Sequence, residues 1–195
     1  MALREFTIIR HGQANIEAKT HDDYDHLSTK GEAQAELLGR YLNQSKRYGA
    51  VFSGELRRQR NTAKIANTRA LDHHIDPRLN ELDYYGLGHS LEKRRGIAMP
   101  QSEGAFAPFM RNVLHDWEMD EMCPDLETYT QFRTRVRDAV TTLATQYDRP
   151  LLFSSGGVIS TLAHMAMGGD HDIKIGFMLR VSHTSLNRFV IDTET

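Results

Sequence analysis

The sequence predicts an α/β fold: a three-layer α/β/α sandwich with a mostly parallel sheet and a small helical cap insert. Three observations predict it. Short β-branched and aromatic runs alternate with amphipathic helical stripes along the 195 residues. Three of those runs end in polar or glycine-bearing turns, as strands do where a doubly wound sheet presents ligand loops at its carboxyl edge. Between Ser90 and Asp125 the alternation gives way to a stretch punctuated by Gly96, Pro100, Gly104, Pro108 and Pro124, which reads as an insert at about 90–125. A chain of this length can bury one continuous core, so residues 1–195 are expected to form a single domain.

The elements follow in order. Phe6 to Ile9 reads as a buried strand feeding the turn Arg10-His11-Gly12. From Thr29 to Tyr41 the positions Ala33, Leu37, Leu38, Tyr41 and Leu42 form a helical stripe, and Thr29 with Glu32 has capping-box spacing. Ala50 to Ser53 is a second strand, and a helix from about Glu55 to Arg69 turns Leu56, Ala63 and Ala66 toward a sheet. A short strand is expected around Ile75, before the loop Leu79-Asn80-Glu81. Within the insert one amphipathic stretch, carrying Phe106, Phe109, Met110, Val113, Leu114 and Trp117, predicts a helix over the site. Leu126 to Tyr147 is a long helix whose inner face is Tyr129, Phe132, Val136, Ala139, Val140 and Leu143. Leu151 to Ser154 is a strand; Ser155-Gly156-Gly157 then turns into a helix carrying Val158, Ile159, Leu162, Ala163 and Ala166, which stops at Gly168-Gly169. Leu186 to Ile191 closes the chain as a last strand.

Composition narrows the function classes. With 24 Lys and Arg against 26 Asp and Glu, the formal charge of -2 comes from interspersed residues, so no basic field for nucleic acid or an anionic membrane is expected. No apolar run approaches the roughly 20 residues of a membrane helix, and Arg4 and Glu5 interrupt the first residues, which suits an unexported chain. Cys123 is the single cysteine, which excludes an internal disulfide and fits a reducing, cytoplasmic setting. The histidines show no H-E-x-x-H or similar spacing, Gly156-Gly157 lacks the G-K-[ST] of a P-loop, and no G-x-G-x-x-G follows a strand. Neither metal nor cofactor is expected.

The three turns Arg10-His11-Gly12-Gln13, Ser53-Gly54-Glu55 and Ser155-Gly156-Gly157 should converge at one edge of the sheet. Arg10 and Arg58 then offer planar, permanently charged forks for a phosphate, with His11 between them. Helical spacing selects Arg58 from the run Arg57-Arg58-Gln59-Arg60, because it lies four residues before Thr62. A neutral imidazole can attack phosphorus when cations neutralise the phosphoryl oxygens, giving a phosphohistidine that water later hydrolyses. The leaving alcohol needs a proton. Glu81 is the candidate donor, with Asp83 as its neighbouring alternative.

These residues carry a resemblance. Arg10-His11-Gly12-Gln13 resembles the signature of the histidine phosphatase superfamily, the phosphoglycerate mutase-like proteins, and further matches follow in order. Leu27-Ser28 through Gly31 and Gln34-Ala35 is similar to the segment after that signature. Ser53-Gly54-Glu55-Leu56 with Arg58 and Thr62-Ala63 is similar to the second phosphate-binding helix, and Leu79-Asn80-Glu81 with Gly86 to the loop of the acidic proton donor. Thr184-Ser185-Leu186 resembles the start of the last strand. The resemblance implies a metal-independent phosphomonoesterase acting on a small phosphorylated substrate. It implies His11 as nucleophile, Glu81 as acid, and a phosphate held by Arg10, Arg58, Gln13 and the Ser155-Gly156 turn.

One position departs from the pattern. After Leu151-Leu152-Phe153-Ser154 the superfamily carries a histidine that donates to the phosphoryl oxygens; here it is Ser155. A hydroxyl brings no positive charge, and an uncompensated loss of such a donor costs roughly 10²–10³ in rate. Two outcomes follow. His183, where the family tends to carry asparagine, takes over as donor, or the chain is a weak enzyme or a noncatalytic phospho-ligand binder. A mutase is the remaining alternative, disfavoured because keeping the phosphoryl group from water needs a more enclosed pocket than a short insert supplies.

Overall fold

Strand β1 (Leu3–Arg10) lies inside a five-stranded sheet, and the order of that sheet explains where the loops meet. The computed structural model describes residues 2–16, 18, 21–44 and 48–192. In it, β2 (Val51–Ser53), β3 (His73–Ile75), β4 (Leu151–Ser154) and β5 (Leu186–Asp192) join β1 in the order β3-β2-β4-β1-β5. The first three pairings are parallel and β5 runs antiparallel to β1, so the sheet is mostly parallel, as the strand–helix alternation predicts.

Both faces are covered because each inner strand is apolar on both sides. On one face, Ile9, Val51, Leu151 and Phe153 pack with Leu38 and Leu42 of α2 (Thr29–Gln44) and Ala63 and Ala66 of α3 (Arg57–Ala66). On the other, Phe6, Ile8, Phe52 and Leu152 meet α6 (Tyr129–Gln146), α7 (Gly156–Met167) and the helices of the insert region. Two of these start with satisfied caps or close substitutes. Thr128 and Gln131 form a reciprocal capping box at α6, and the N-terminus of α7 receives Glu81, whose Oε2 accepts from Gly157 N at 3.1 Å.

Several expectations are corrected. Helix α2 buries Gly31, Ala35, Leu38, Gly39 and Leu42, while Ala33, Leu37 and Tyr41 face solvent. The stripe is rotated because the helix is seated by glycines: a Cβ on Gly31 would lie 2.1 Å from Gln13 O, so that face can press backbone on backbone only without side chains. Its cap is Ser28, whose Oγ accepts from Gly31 N at 3.1 Å, one residue before the expected Thr29. Ala166 is exposed rather than inward. Three helices had no sequence expectation: α1 (His21–Tyr24), α4 (Tyr84–Arg95) and α8 (His171–Arg180). The apolar stretch of the insert forms α5 (Glu103–Glu118), which buries Phe109, Met110, Val113, Leu114 and Trp117.

Helices α5 and α8 are clamped together. Lys174 Nζ lies 2.5 Å from Glu118 Oε1 with both side chains buried, His171 reaches the other oxygen of Glu118, and Arg111 pairs with Asp172. Among the described residues no helix is long and apolar enough to cross a membrane.

Candidate active site

The strand order brings the three expected turns together. Strand β4 lies between β2 and β1, with Arg10 in register with Ser154 and Ser53 with Phe153, so the chain leaves all three carboxyl ends side by side. His11 N donates to Ser154 O at 2.9 Å and Gly54 N to Phe153 O at 3.3 Å, which holds the turns at one level.

The loop after β1 is fixed from two sides. Gly12 N donates to Thr62 Oγ1 at 2.9 Å, and that hydroxyl donates to Arg58 O at 2.6 Å, so one threonine ties the loop to the helix that carries Arg58. On its other side Gly12 meets α2: an added Cβ would lie 2.5 Å from Gly31 O. Gln13 N donates to Gln34 Oε1 at 2.9 Å.

His11 is buried, and its two ring nitrogens have different partners. Nδ1 lies 2.7 Å from Gly12 O, and Nε2 lies 3.2 Å from Arg58 Nε. Arginine can only donate, so Nε2 carries the lone pair and Nδ1 carries the proton. Burial first, and then the guanidinium of Arg58, hold the His11 pKa well below its ordinary 6.5. Near neutral pH the ring is therefore uncharged, with its unprotonated nitrogen beside the cations.

Those cations are themselves anchored. Arg58 is buried, its Nη1 is 2.7 Å from Asp25 Oδ1, and its guanidinium carbon lies 5.5 Å from the centre of the Tyr24 ring. Arg10 donates from Nη1 to Val181 O, and its buried Nε has no hydrogen-bond partner. Burial lowers the Arg10 pKa and the carboxylate of Glu81 opposes that shift. Glu81 accepts from Leu82 N at 3.0 Å and from Gly157 N at 3.1 Å, an approach that needs glycine, since a Cβ on Gly157 would be 2.2 Å from Glu81 Oε1. Arg10, His11, Arg58, Glu81 and Gly156 together line the floor of a cleft of about 540 Å³.

Three expected site residues are placed differently. The Gln13 side chain is turned to Ser28, whose Oγ lies 3.2 Å from Gln13 Oε1, and it does not line the cleft. Ser155 is fully buried and its Oγ accepts from Gln59 Nε2 at 2.8 Å; it too is absent from the cleft wall. The His183 ring is centred 5.8 Å from that of His11 and is half-buried beside Arg10. Burial and Arg10 lower its pKa to about 4, so it can donate one N–H there but brings no charge at neutral pH. Thr184, in left-handed backbone conformation, donates from N to Arg10 O at 2.9 Å and fixes that turn.

Sequence reasoning missed Asp25, which anchors Arg58, Gln59, which occupies Ser155, and the carbonyl of Val181. Asp25 sits in the acidic run His21-Asp22-Asp23-Tyr24-Asp25, which reads as a solvated face and bears no spacing relation to Arg58. Among the described residues no three His, Cys, Asp or Glu are placed to hold a metal ion.

Comparison with known proteins gives a consistent picture. A family model described as the histidine phosphatase superfamily (branch 1) matches residues 6–195. The protein named "Probable phosphoglycerate mutase GpmB" of Enterobacter sp. (strain 638) is 30% identical over 169 residues, covering 83% of this chain and 74% of its own. Among solved structures, a phosphoglycerate mutase from Bacillus anthracis str. Sterne superposes with a TM-score of 0.67 at 17% identity, covering 98% of this chain and 89% of the other. The alpha-ribazole phosphatase from Shigella flexneri gives 0.64 at 22% identity, with 94% and 89% covered. A mycobacterial glucosyl-3-phosphoglycerate phosphatase gives 0.65 at 21%, with 95% and 90% covered. These structural likenesses are likenesses of fold.

Proposed function

Since the chain belongs to the histidine phosphatase superfamily (branch 1), we propose that it hydrolyses phosphomonoesters through a phosphohistidine formed on His11. The observation that carries this is the uncharged imidazole of His11, with Nδ1 tied to Gly12 O and the lone pair of Nε2 directed at the Arg58 guanidinium.

In the first step the phosphate oxygens draw Arg58 Nε away from His11 and are drawn to the Arg10 guanidinium, and Nε2 attacks phosphorus. The bond from phosphorus to the ester oxygen breaks as that oxygen takes a proton from Glu81. In the second step water attacks the phosphohistidine, its proton passes to Glu81, and the P–N electron pair returns to His11. Glu81 is thereby reprotonated, and the products are an alcohol and inorganic phosphate. Asp25 holds Arg58 in place throughout, and no metal or cofactor enters the scheme.

A second reading, a phospho-ligand binder with negligible turnover, draws on Ser155, whose hydroxyl is engaged by Gln59 instead of facing the cleft. One assay separates them: p-nitrophenyl phosphate without added metal, with His11→Ala as control and acid-labile labelling of the protein as the test for phosphohistidine. The phosphatase reading expects turnover that falls at least about 10³-fold in His11→Ala. Turnover that survives the substitution refutes the mechanism, and phosphate binding without turnover supports the binder.

A further inference from the structure

Above its phosphate-sized floor the cleft has a second, chemically different part. Its wall is built by Tyr84 and Tyr85 from α4, Phe106 and Met110 from α5, and Met178 and Leu179 from α8. At about 540 Å³ the cleft far exceeds a phosphoryl group, so most of it surrounds whatever the phosphate is attached to.

The charges of the cleft are unevenly shared. Among the described residues its cationic members are Arg10 and Arg58, both beside His11, and the remaining charged side chains are Glu81 and Asp83. Among the described residues, a carboxylate or a second phosphate on the leaving group would meet no cation in the upper cleft and would face Asp83, with Glu81 at the floor below it. Asn80, the amide in the lining, is already committed: its Oδ1 accepts from Glu55 N at 2.7 Å and its Nδ2 donates to Glu55 Oε2 at 2.8 Å.

The aromatic part is assembled before any ligand arrives. The Tyr84 ring lies 5.1 Å from Tyr85 at 74°, 5.6 Å from Phe106 at 42° and 6.3 Å from Phe109 at 73°. These are edge-to-face and tilted arrangements, whose open faces and edges accept a further ring. Phe109 and Met110 are anchored in the core behind them, and the Lys174–Glu118 pair holds the α8 side of the wall against the α5 side.

We infer that the site takes phosphomonoesters of an uncharged, apolar, ring-bearing alcohol, in preference to phosphoglycerates or sugar phosphates. This rests on the phosphatase reading for its chemistry, but it is a statement about affinity and can be tested without turnover. Titration calorimetry of the wild-type protein with (1-naphthylmethyl)phosphonic acid, benzylphosphonic acid, 3-phosphonopropionic acid and inorganic phosphate compares leaving-group portions on one uncleavable head. The fused second ring should tighten binding about tenfold over benzyl, and the carboxylate ligand should bind at least about 100-fold more weakly than naphthyl. The ratio of naphthyl to inorganic phosphate affinity should fall about tenfold in Phe106→Ala and, from a separate helix, in Met178→Ala.

Equal affinity for the naphthyl and carboxylate ligands, or an unchanged ratio in both variants, overturns the inference. If the phosphonates rank as expected while no substrate shows His11-dependent turnover, the inference stands and the phosphatase reading fails. If 3-phosphoglycerate is turned over in preference to 1-naphthyl phosphate, the phosphatase chemistry stands and the inference fails.

Discussion

Replacing Ser155 by histidine tests whether the phosphoryl site lacks a donor. In the native protein the donors placed at the floor are Arg10, Arg58 and the start of α7, and the Ser155 hydroxyl is held by Gln59 at 2.8 Å. One preorganised donor is worth roughly 10²–10³ in kcat, or about 2.7–4 kcal/mol. The full value is not expected, because Ser155 is completely buried and the imidazole has to displace the Gln59 amide. Overpacking of that kind costs about 1–3 kcal/mol. Part of this is recovered: Gln59 Oε1 is buried without a partner, and an imidazole N–H able to reach it satisfies an orphaned acceptor worth about 1–3 kcal/mol. We therefore expect Ser155→His to lose no more than about 2 kcal/mol of stability and to gain about 10- to 100-fold in kcat. The assay is kcat on p-nitrophenyl phosphate beside the urea midpoint of both proteins. A variant that folds as stably as wild type and turns over no faster refutes the idea of a missing donor. His183→Ala then becomes the decisive variant, since a drop of about tenfold or more would mark His183 as the substitute.

Asp25→Asn removes the charge that orients Arg58 at 2.7 Å, so kcat/KM for p-nitrophenyl phosphate should fall about 10- to 100-fold; a change below twofold would mean Arg58 is held by the Tyr24 ring and the fold alone. Gly12→Ala places a methyl 2.5 Å from Gly31 O, backbone against backbone, and the resulting shift of His11 should cost about 10²-fold in kcat, measured beside circular dichroism to show an intact fold. Stability should fall in acid: His11 and His183 both have pKa values below the 6.5 of the unfolded chain, so the unfolded state takes up protons first, and the stabilisation present above about pH 6.5 is lost as the pH falls. For His183, lowered to about 4 and half-buried, the discounted loss at pH 5 is about 1 kcal/mol, and urea titrations of His183→Asn should show that much less acid sensitivity. Glu118→Gln strands the buried Lys174 and should cost about 3 kcal/mol, whereas the double change with Lys174→Met should recover most of it; equal losses would show that the two residues are not coupled.

What could be read from the sequence divides along physical lines. β1, β4, α5, α6 and α7 were legible because each buries a contiguous apolar run or stripe, and periodicity reports burial directly. Helix α8 was not, since its inner residues include Lys174, a cation paired with Glu118, which lies 56 residues away, and set 3.8 Å from the centre of the Tyr129 ring. Helix α4 carries Gly86 and Gly88 and reads as a loop, and the second of these is buried against Met99 and Phe109. At the site, Arg10, His11, Arg58 and Glu81 sit in local patterns set by strand ends and helix spacing. Asp25, Gln59 and Val181 serve through contacts with residues 33, 96 and 171 positions away, which no local pattern contains. The Gln13 side chain illustrates the converse: its place in the pattern is kept, but in the structure it bonds Ser28 beside the backbone crossing of Gly12 and Gly31.

The serine buried behind the floor and the apolar wall above it bear on one another. In the proposed mechanism, electrostatic stabilisation by Arg10 and Arg58 depends on how much water remains around the phosphoryl group, because screening by water weakens every charge pair several-fold. A leaving group that fills the space between Phe106, Met178 and Tyr84 expels that water; a small polar one leaves the cleft wet. On the proposed mechanism and substrate class, an apolar leaving group would compensate at the floor for the charge that Ser155 does not bring. The gain from Ser155→His should accordingly be larger for glycerol 2-phosphate than for 1-naphthyl phosphate, by about tenfold in kcat/KM. Equal gains on the two substrates would show that wall and floor act independently, and that water exclusion plays no part in the proposed mechanism.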